Sequence, residues 1–349
     1  MNAKNKNTND PIAQKTHIIK IKSAAILTAC CLLVLSLTGC SAPAGKNTVI
    51  QDTIIAFDTV VTITLYGTND TGALDGALEL CRSYDSLFSR TTEGSDVYRI
   101  NHAKGETVTV SPETILLIRQ SLSYSELTDG AIDITIAPVK DLWDFSSEEK
   151  IADESALPDE AALADALSHV DYRCISYDET ACTVTLSDSE AQIDLGFIAK
   201  GYIADRVKEY LISEGITSAT INLGGNVLTI GSKPDGTPFQ IGIETPFETG
   251  TPIDVLSIAD QSVVTSGVYE RCFQIDGVLY HHILDPKTGY PVSNDLLSVT
   301  IISDSSLDGD ALSTTCLMLG PDKAKTLIAG LDGIEAVFIT KDYEIQEIR

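Results

Sequence analysis

Apolar and polar positions alternate from Val61 to Leu65, with Thr62 and Thr64 between them, a period of two that predicts a strand. Val49 to Leu65 reads as two strands around Ala56-Phe57-Asp58-Thr59. The period then lengthens: Ala73, Ala77, Leu80, Tyr84 and Leu87 share one face of a helix. A polar loop, Ser89 to Asp96, and the segment Val97 to Asn101 follow. Ser111-Pro112 opens another helix with a cap and an early proline, and this helix runs to about Leu127. Glu148 to Leu167 is acidic and alanine-rich and predicts one or two surface helices. Ala181 to Ile193 alternates as a strand does, whereas Ile203, Val207 and Leu211 fall four apart in a helix stopped by Gly215. Further strands are predicted at Ala219 to Ile230, broken by Gly224-Gly225, and at Phe239–Glu244, Ile253–Ala259, Val263–Ser266, Leu297–Ile302 and Ile334–Ile339. Cys272–Ile275 and Val278–His282 flank Asp276-Gly277, a strong hairpin signal. A short helix is expected from Asp310 to Leu319. Hairpin-linked strands outnumber helices in the second half, so the expected class is α+β, with mostly antiparallel sheets and packed helices in one domain of two intimate lobes.

Three places interrupt the pattern in ways that point to chemistry. At Asp194-Leu195-Gly196-Phe197-Ile198-Ala199-Lys200-Gly201-Tyr202 a strand feeds a glycine-containing turn and a helix start. Such a junction offers backbone N–H groups and a positive dipole end to a phosphate, here with a carboxylate and an ammonium beside it. It matches neither the dinucleotide fingerprint nor the P-loop. Thr128 to Pro138 sets polar side chains inside an apolar run, which makes it either a structural turn network or part of a site. Asp310 and Thr314 lie four apart on one helix face: they read either as an N-terminal charge and a hydroxyl bonding back to its own helix, or as hard oxygen ligands for Mg²⁺. His281 and His282 end a strand, so at most one of them faces a shared site. A histidine there is either structural or a proton shuttle.

Charge and the N-terminus narrow the setting. The chain has 24 basic and 50 acidic residues, a formal net charge of −26. That excludes a basic nucleic-acid footprint, and a phosphate-bearing substrate would need a cation to help it bind. Lys15, Lys20 and Lys22 precede the apolar stretch Ala24–Leu37, which ends at Leu37-Thr38-Gly39-Cys40. The stretch is short for a membrane span and resembles a bacterial lipoprotein signal. Residues 1–39 are then the signal, Cys40 carries lipid, residues 41–48 form a tether and residues 49–349 form the folded body, held at the extracytoplasmic side of the cell membrane. Removing residues 1–39 takes away five lysines and one aspartate, leaving 19 basic and 49 acidic side chains. Besides Cys40, five cysteines remain (Cys81, Cys174, Cys182, Cys272 and Cys316), without metal spacing. Cys174 and Cys182 are positioned to meet across a hairpin, but buried free thiols are expected.

Taken together, several segments resemble the FAD:protein FMN transferase family, the ApbE type. They are Phe57-Asp58-Thr59, Leu87-Phe88-Ser89-Arg90 with Ser95 to Asn101, Gly130 to Thr135, the Trp143 region, DLGFIAKGYIAD from Asp194, NLGGN from Asn222, HHILDPKTG from His281 and DALSTTCLMLG from Asp310. They run in order through nearly the whole folded body. The resemblance implies an enzyme that takes FAD as substrate with Mg²⁺ and transfers FMN to a threonine or serine hydroxyl of an acceptor flavoprotein, releasing AMP. It implies metal ligation by Asp310, Thr314 and the Phe197 carbonyl. It places Phe57, Thr91, Ala131, Ile132, Asp133, Asp194, Lys200 and Leu284 against FAD, and makes His282 the proton-handling residue. The family often has Met-Gly-Thr at Phe57-Asp58-Thr59 and an aromatic at Thr91. A FAD pyrophosphatase on the same scaffold and a flavin-binding lipoprotein without turnover are the alternatives.

Overall fold

The computed structural model describes residue 45 and residues 47–145, 152–248 and 250–349; the signal, Cys40, part of the tether and the first residues of the acidic stretch fall outside them. The alternation at the start becomes a hairpin, β1 (Val49–Ala56) with β2 (Thr59–Tyr66), in which Val61, Ile63 and Leu65 are fully buried. Helix α1 (Thr71–Phe88) is capped by Asp70, which accepts from the Ala73 N–H. Val97 to Asn101 proves helical, within α2 (Asp96–Asn101), because Ser95 caps it. Then come β3 (Val108–Thr109), α3 (Pro112–Leu127) and the short α4 (Ala137–Lys140). Within the acidic stretch, α5 (Glu160–Leu167) forms behind the cap Asp159.

The strand expected over Ala181 to Ile193 is shorter than its alternation implies. β4 (Ile175–Asp178) and β5 (Thr183–Leu186) pair as a hairpin, and the chain then turns, keeping only an isolated parallel bridge from Gln192 to Ile136. Asp188 directs that turn by accepting the Glu190 N–H at 2.9 Å. Cys174 and Cys182 are both free thiols, at opposite ends of the hairpin, and only partly buried rather than buried as expected, because the hairpin lies at the edge of the core. Helix α6 (Ala199–Ser213) follows as expected.

The remaining strands are β6 (Ala219–Leu223), β7 (Asn226–Ile230), β8 (Phe239–Glu244), β9 (Pro252–Ile258), β10 (Ser262–Gly267), β11 (Cys272–Ile275), β12 (Val278–His281), β13 (Leu296–Ser303), β14 (Glu335–Thr340) and β15 (Ile345–Ile348). Helix α7 spans Ser306–Leu319, and Pro321 with Gly320 sets off α8 (Pro321–Ile328). Both α8 and β15 escape the hydrophobic pattern, α8 because its apolar face is narrow and β15 because it is a short edge strand. Among the described residues the main sheet is β1-β2-β6-β7-β10-β13-β14-β15, antiparallel throughout. One core lies between its β1-β2-β6 end and helices α1, α3 and α6, and a second between β13-β14 and helices α7 and α8. A smaller aromatic cluster holds Trp143, Phe273 and Leu284. The mixed class with antiparallel sheets is as expected.

Two features position the site. Gly201, in the first turn of α6, lies so close to α7 that an added Cβ would sit 2.2 Å from the Ser306 oxygen and 2.7 Å from the Leu307 Cα. Only glycine permits that crossing. Asp205, one turn on, then caps the other helix: its carboxylate accepts the N–H groups of Ser306 (2.9 Å) and Leu307 (3.0 Å). Ser305 caps the same end by accepting the Asp308 N–H. Helix α7 therefore begins four residues before Asp310, which stands in its interior rather than in its first turn.

Candidate active site

The Asp194–Tyr202 stretch is fixed from behind before it presents anything. Asn101 bonds both backbone groups of Ile193, donating to its carbonyl at 2.9 Å and accepting its N–H at 2.7 Å. Asp194 donates its own N–H to the Ile134 carbonyl. Polar residues of the Thr128–Pro138 run serve this docking. The Thr128 hydroxyl accepts the Ile132 N–H, and the Asp133 carboxylate accepts the Thr135 N–H and hydroxyl and the Tyr172 N–H. Asp133 is thus a turn lock; burial raises its pKa, and these donors oppose the rise. Of its neighbours, Ile132 is buried and Ala131 half-buried.

Asp194 is almost enclosed. One oxygen accepts the Gly196 N–H at 2.7 Å; the other takes Lys140 at 2.5 Å and lies 3.5 Å from Arg90. Burial opposes the charged form, but Lys140 and Arg90 outweigh it and hold the carboxyl below the ordinary range. Arg90 also grips Asp141 with two bonds of 2.8 Å. Lys200, six residues from Asp194, turns elsewhere: its Nζ is 3.5 Å from Asp310. The structure does not bring Asp194 and Lys200 onto a common partner.

Asp310 is 3 % exposed, and desolvation raises its pKa against the pull of Lys200 and the Gly201 N–H. Its second oxygen accepts that N–H at 2.9 Å. In a continuous helix the Gly201 N–H would bond the Phe197 carbonyl, four residues back. Here Ala199 donates to Leu195 and Tyr202 to Ile198, and among the described residues no backbone N–H takes the Phe197 carbonyl. Phe197 uses its ring for an edge contact with Tyr124. Thr314, one turn after Asp310, has its hydroxyl 3.0 Å from Ser266 Oγ. Ser266 also meets Ser313, whose hydroxyl donates to the Asp310 carbonyl. Among the described residues, no group of three or more His, Cys, Asp or Glu side chains is arranged to hold a metal ion. The Phe197, Asp310 and Thr314 set offers one carboxylate, one carbonyl and one hydroxyl, hard donors that suit Mg²⁺ with water and phosphate completing its shell.

His281 ends β12 and His282 follows it, and the two side chains take different partners. His281 is buried and donates from Nε2 to the Val292 carbonyl. His282 is half-buried; its Nδ1 lies 3.3 Å from the Arg271 carbonyl. A carbonyl only accepts, so Nδ1 carries the proton and Nε2 is the basic nitrogen. Desolvation, with Lys140 and Arg271 adding to it, pushes His282 down to about 3, so its imidazole is neutral at pH 7. Arg271 also reaches the Asp58 carbonyl at 3.3 Å. Beside it Glu270 is an exposed residue, and what desolvation its carboxylate has raises its pKa against the pull of Lys200 and Arg271.

The hairpin turn Phe57-Asp58 takes φ +56° and +55°, left-handed values a phenylalanine rarely adopts. Asp85 holds it by accepting the Phe57 N–H, and Gly224 leaves room for Thr59, whose hydroxyl would be 2.1 Å from an added Cβ. Thr91 is exposed and bonds Ser89 nearby; Leu284 is buried in the aromatic cluster, bridged to Pro291. Residues that sequence reasoning left without a role are Lys140, Asp141, Asp205, Ser266, Glu270 and Arg271, together with Arg90. Asp205 and Arg90 stand inside quoted motifs; the others carry no spacing signal, because their partners are distant in sequence.

The ApbE family model matches residues 57–338. The chain belongs to the ApbE family. It is 38 % identical over 303 residues to a FAD:protein FMN transferase of Klebsiella pneumoniae, covering 86 % of this chain and 92 % of that one. A FAD:protein FMN transferase of Treponema pallidum is 34 % identical over 289 residues, 78 % of each chain. The ApbE crystal structure from Thermotoga maritima superposes with a TM-score of 0.72 at 33 % identity, over 86 % of this chain and 96 % of that one. The flavin transferase ApbE from Vibrio cholerae gives 0.75 at 26 % identity, over the same shares. The ApbE match spans the hairpin turn at Phe57, the Asp194 stretch, His282 and Asp310 alike.

Proposed function

We propose that this protein is a magnesium-dependent FAD:protein FMN transferase, moving the FMN part of FAD onto a threonine or serine hydroxyl of a target flavoprotein. The observation that carries the metal reading is the bond from the Gly201 N–H to buried Asp310, a donor that a continuous helix would have given to the Phe197 carbonyl. Phe197, Asp310 and Thr314 would hold the ion. An ion held there would supply charge neutralisation for the pyrophosphate and a more electrophilic phosphorus. The chain's own residues do the rest. His282 Nε2, neutral at pH 7, takes the proton of the acceptor hydroxyl as its oxygen bonds the FMN phosphorus. The bond from that phosphorus to the AMP oxygen breaks, and AMP leaves. Lys200 keeps Asp310 compensated until the ion arrives.

Cys40 and residues 1–39 support a lipid-anchored protein on the extracytoplasmic side of the cell membrane. Among the described residues no helix is long and apolar enough to cross a membrane. Replacing Cys40 with alanine should release the protein from membranes and end incorporation of labelled fatty acid. For the reaction, the mature protein is incubated with FAD, Mg²⁺ and a candidate acceptor domain, and the acceptor is weighed by intact mass. A covalent FMN adduct at a hydroxyl is expected. Free FMN and AMP with an unmodified acceptor would favour the pyrophosphatase instead.

A further inference from the structure

We propose that Lys140 is a further substrate-binding residue of the transfer site, receiving the phosphoryl end of FAD next to His282, and that Asp194 serves as its holder. This rests on the reading of the site given above. Asp194 itself has little to offer a ligand. Both oxygens are engaged, by the Gly196 N–H at 2.7 Å and by Lys140 at 2.5 Å, and its side chain is 10 % exposed. The ammonium that it holds is more open, with the Lys140 side chain 35 % exposed. A molecule arriving here meets a cation.

Lys140 is also the member of the cluster able to turn. Arg90 is pinned by its two bonds to Asp141 and still stands 3.5 Å from Asp194, so it can compensate that carboxylate when Lys140 moves. Lysine has three donors on a flexible stem, and Asp194 takes one of them. Its backbone is fixed: the Lys140 N–H bonds the Ile136 carbonyl, and Ile136 bridges to Gln192, two residues before Asp194. The neighbourhood is the reacting one. Val139, adjacent to Lys140, and Leu284, two residues after His282, pack in the same aromatic cluster, which brings the two backbones together; the charge of Lys140 acts on the His282 imidazole along with those of Arg271 and His281. Lys200, the other lysine of the site, is paired with buried Asp310.

The test uses the mature protein and its Lys140→Met and Lys140→Arg variants, in buffer with a chelator so that no metal contributes. Flavin fluorescence quenching gives the affinity for FAD and for riboflavin, which has no phosphate. Lys140→Met should weaken FAD about tenfold, as loss of one charge-assisted hydrogen bond does, and leave riboflavin unchanged. Lys140→Arg should recover most of the FAD affinity. The His282 imidazole, followed by NMR against pH, should titrate higher in Lys140→Met than in wild type. The proposal is overturned if Lys140→Met binds FAD as wild type does, or if FAD and riboflavin weaken equally, which marks a structural role. His282→Ala separates the two levels: it should bind FAD normally in the chelator buffer and, once Mg²⁺ and an acceptor are supplied, transfer nothing where the wild type transfers FMN. A wild-type protein that fails to bind FAD would sink the underlying reading rather than the role of Lys140.

Discussion

Burial in the apolar packing beside Val292 pushes His281 down to about 4, while an unfolded chain would titrate near 6.5. The folded state therefore binds fewer protons than the unfolded one between those values. The contribution is present above pH 6.5 and is lost as pH falls toward 4; His282 acts in the same direction. Acidification from pH 7 to pH 5 should cost the fold about 2 kcal/mol through His281 alone. In His281→Gln, which keeps a donor for the Val292 carbonyl but cannot titrate, denaturant melts at the two pH values should differ by that much less. Asp310 gives a second residue-scale prediction. Asp310→Asn can still accept the Gly201 N–H, so it should fold, at a cost of about 1–2 kcal/mol. It should also lack the rise in melting temperature expected of the wild type with Mg²⁺ and FAD, because the charge that would attract the ion is gone. An equal rise in the variant would remove Asp310 from the metal site.

The crossing of α6 and α7 is the element on which the site depends, since it sets the Gly201 N–H against Asp310. Gly201→Ala would force a methyl against backbone atoms of Ser306 and Leu307, and should destabilise by about 1–3 kcal/mol in denaturant melts while reducing transfer out of proportion. Transfer falling only as much as the folded fraction would count against the crossing as a site-building device. This element also shows what the sequence made legible. Periodicity located both helices and placed Asp310 and Thr314 on one face, because four-residue spacing survives any error in the helix start. It missed that start, since Asp205, which caps the first two N–H groups of α7, comes from another helix about a hundred residues earlier in the chain. The strand alternation gave the β1–β2 hairpin, but not its turn. Phe57 and Asp58 adopt left-handed backbone through tertiary contacts with Asp85 and Arg271, which local propensity does not encode.

At the scale of the whole molecule the antiparallel α+β class was readable because hairpins leave short, local signals. The order of strands in the eight-stranded sheet was not, since neighbours such as β2 and β6 are joined through more than a hundred residues. Nor were the cations around Asp194, although the overall charge required some to exist. A formal charge of −26 repels a pyrophosphate approaching from solvent, while Lys140, Arg90, Lys200 and Arg271 attract it at short range. Salt acts on the two unequally. The screening length falls from about 30 Å at 10 mM to about 8 Å at 150 mM ionic strength, so the distant acidic surface is silenced first. The association rate of FAD, measured by stopped-flow quenching, should therefore rise with salt over that range, by about twofold or more. The dissociation rate should rise as well, because the contacts with the site's cations also weaken. A protein whose acidity played no part in substrate capture would show an association rate that is flat or falls with salt, and either result would limit the charge argument to the site itself.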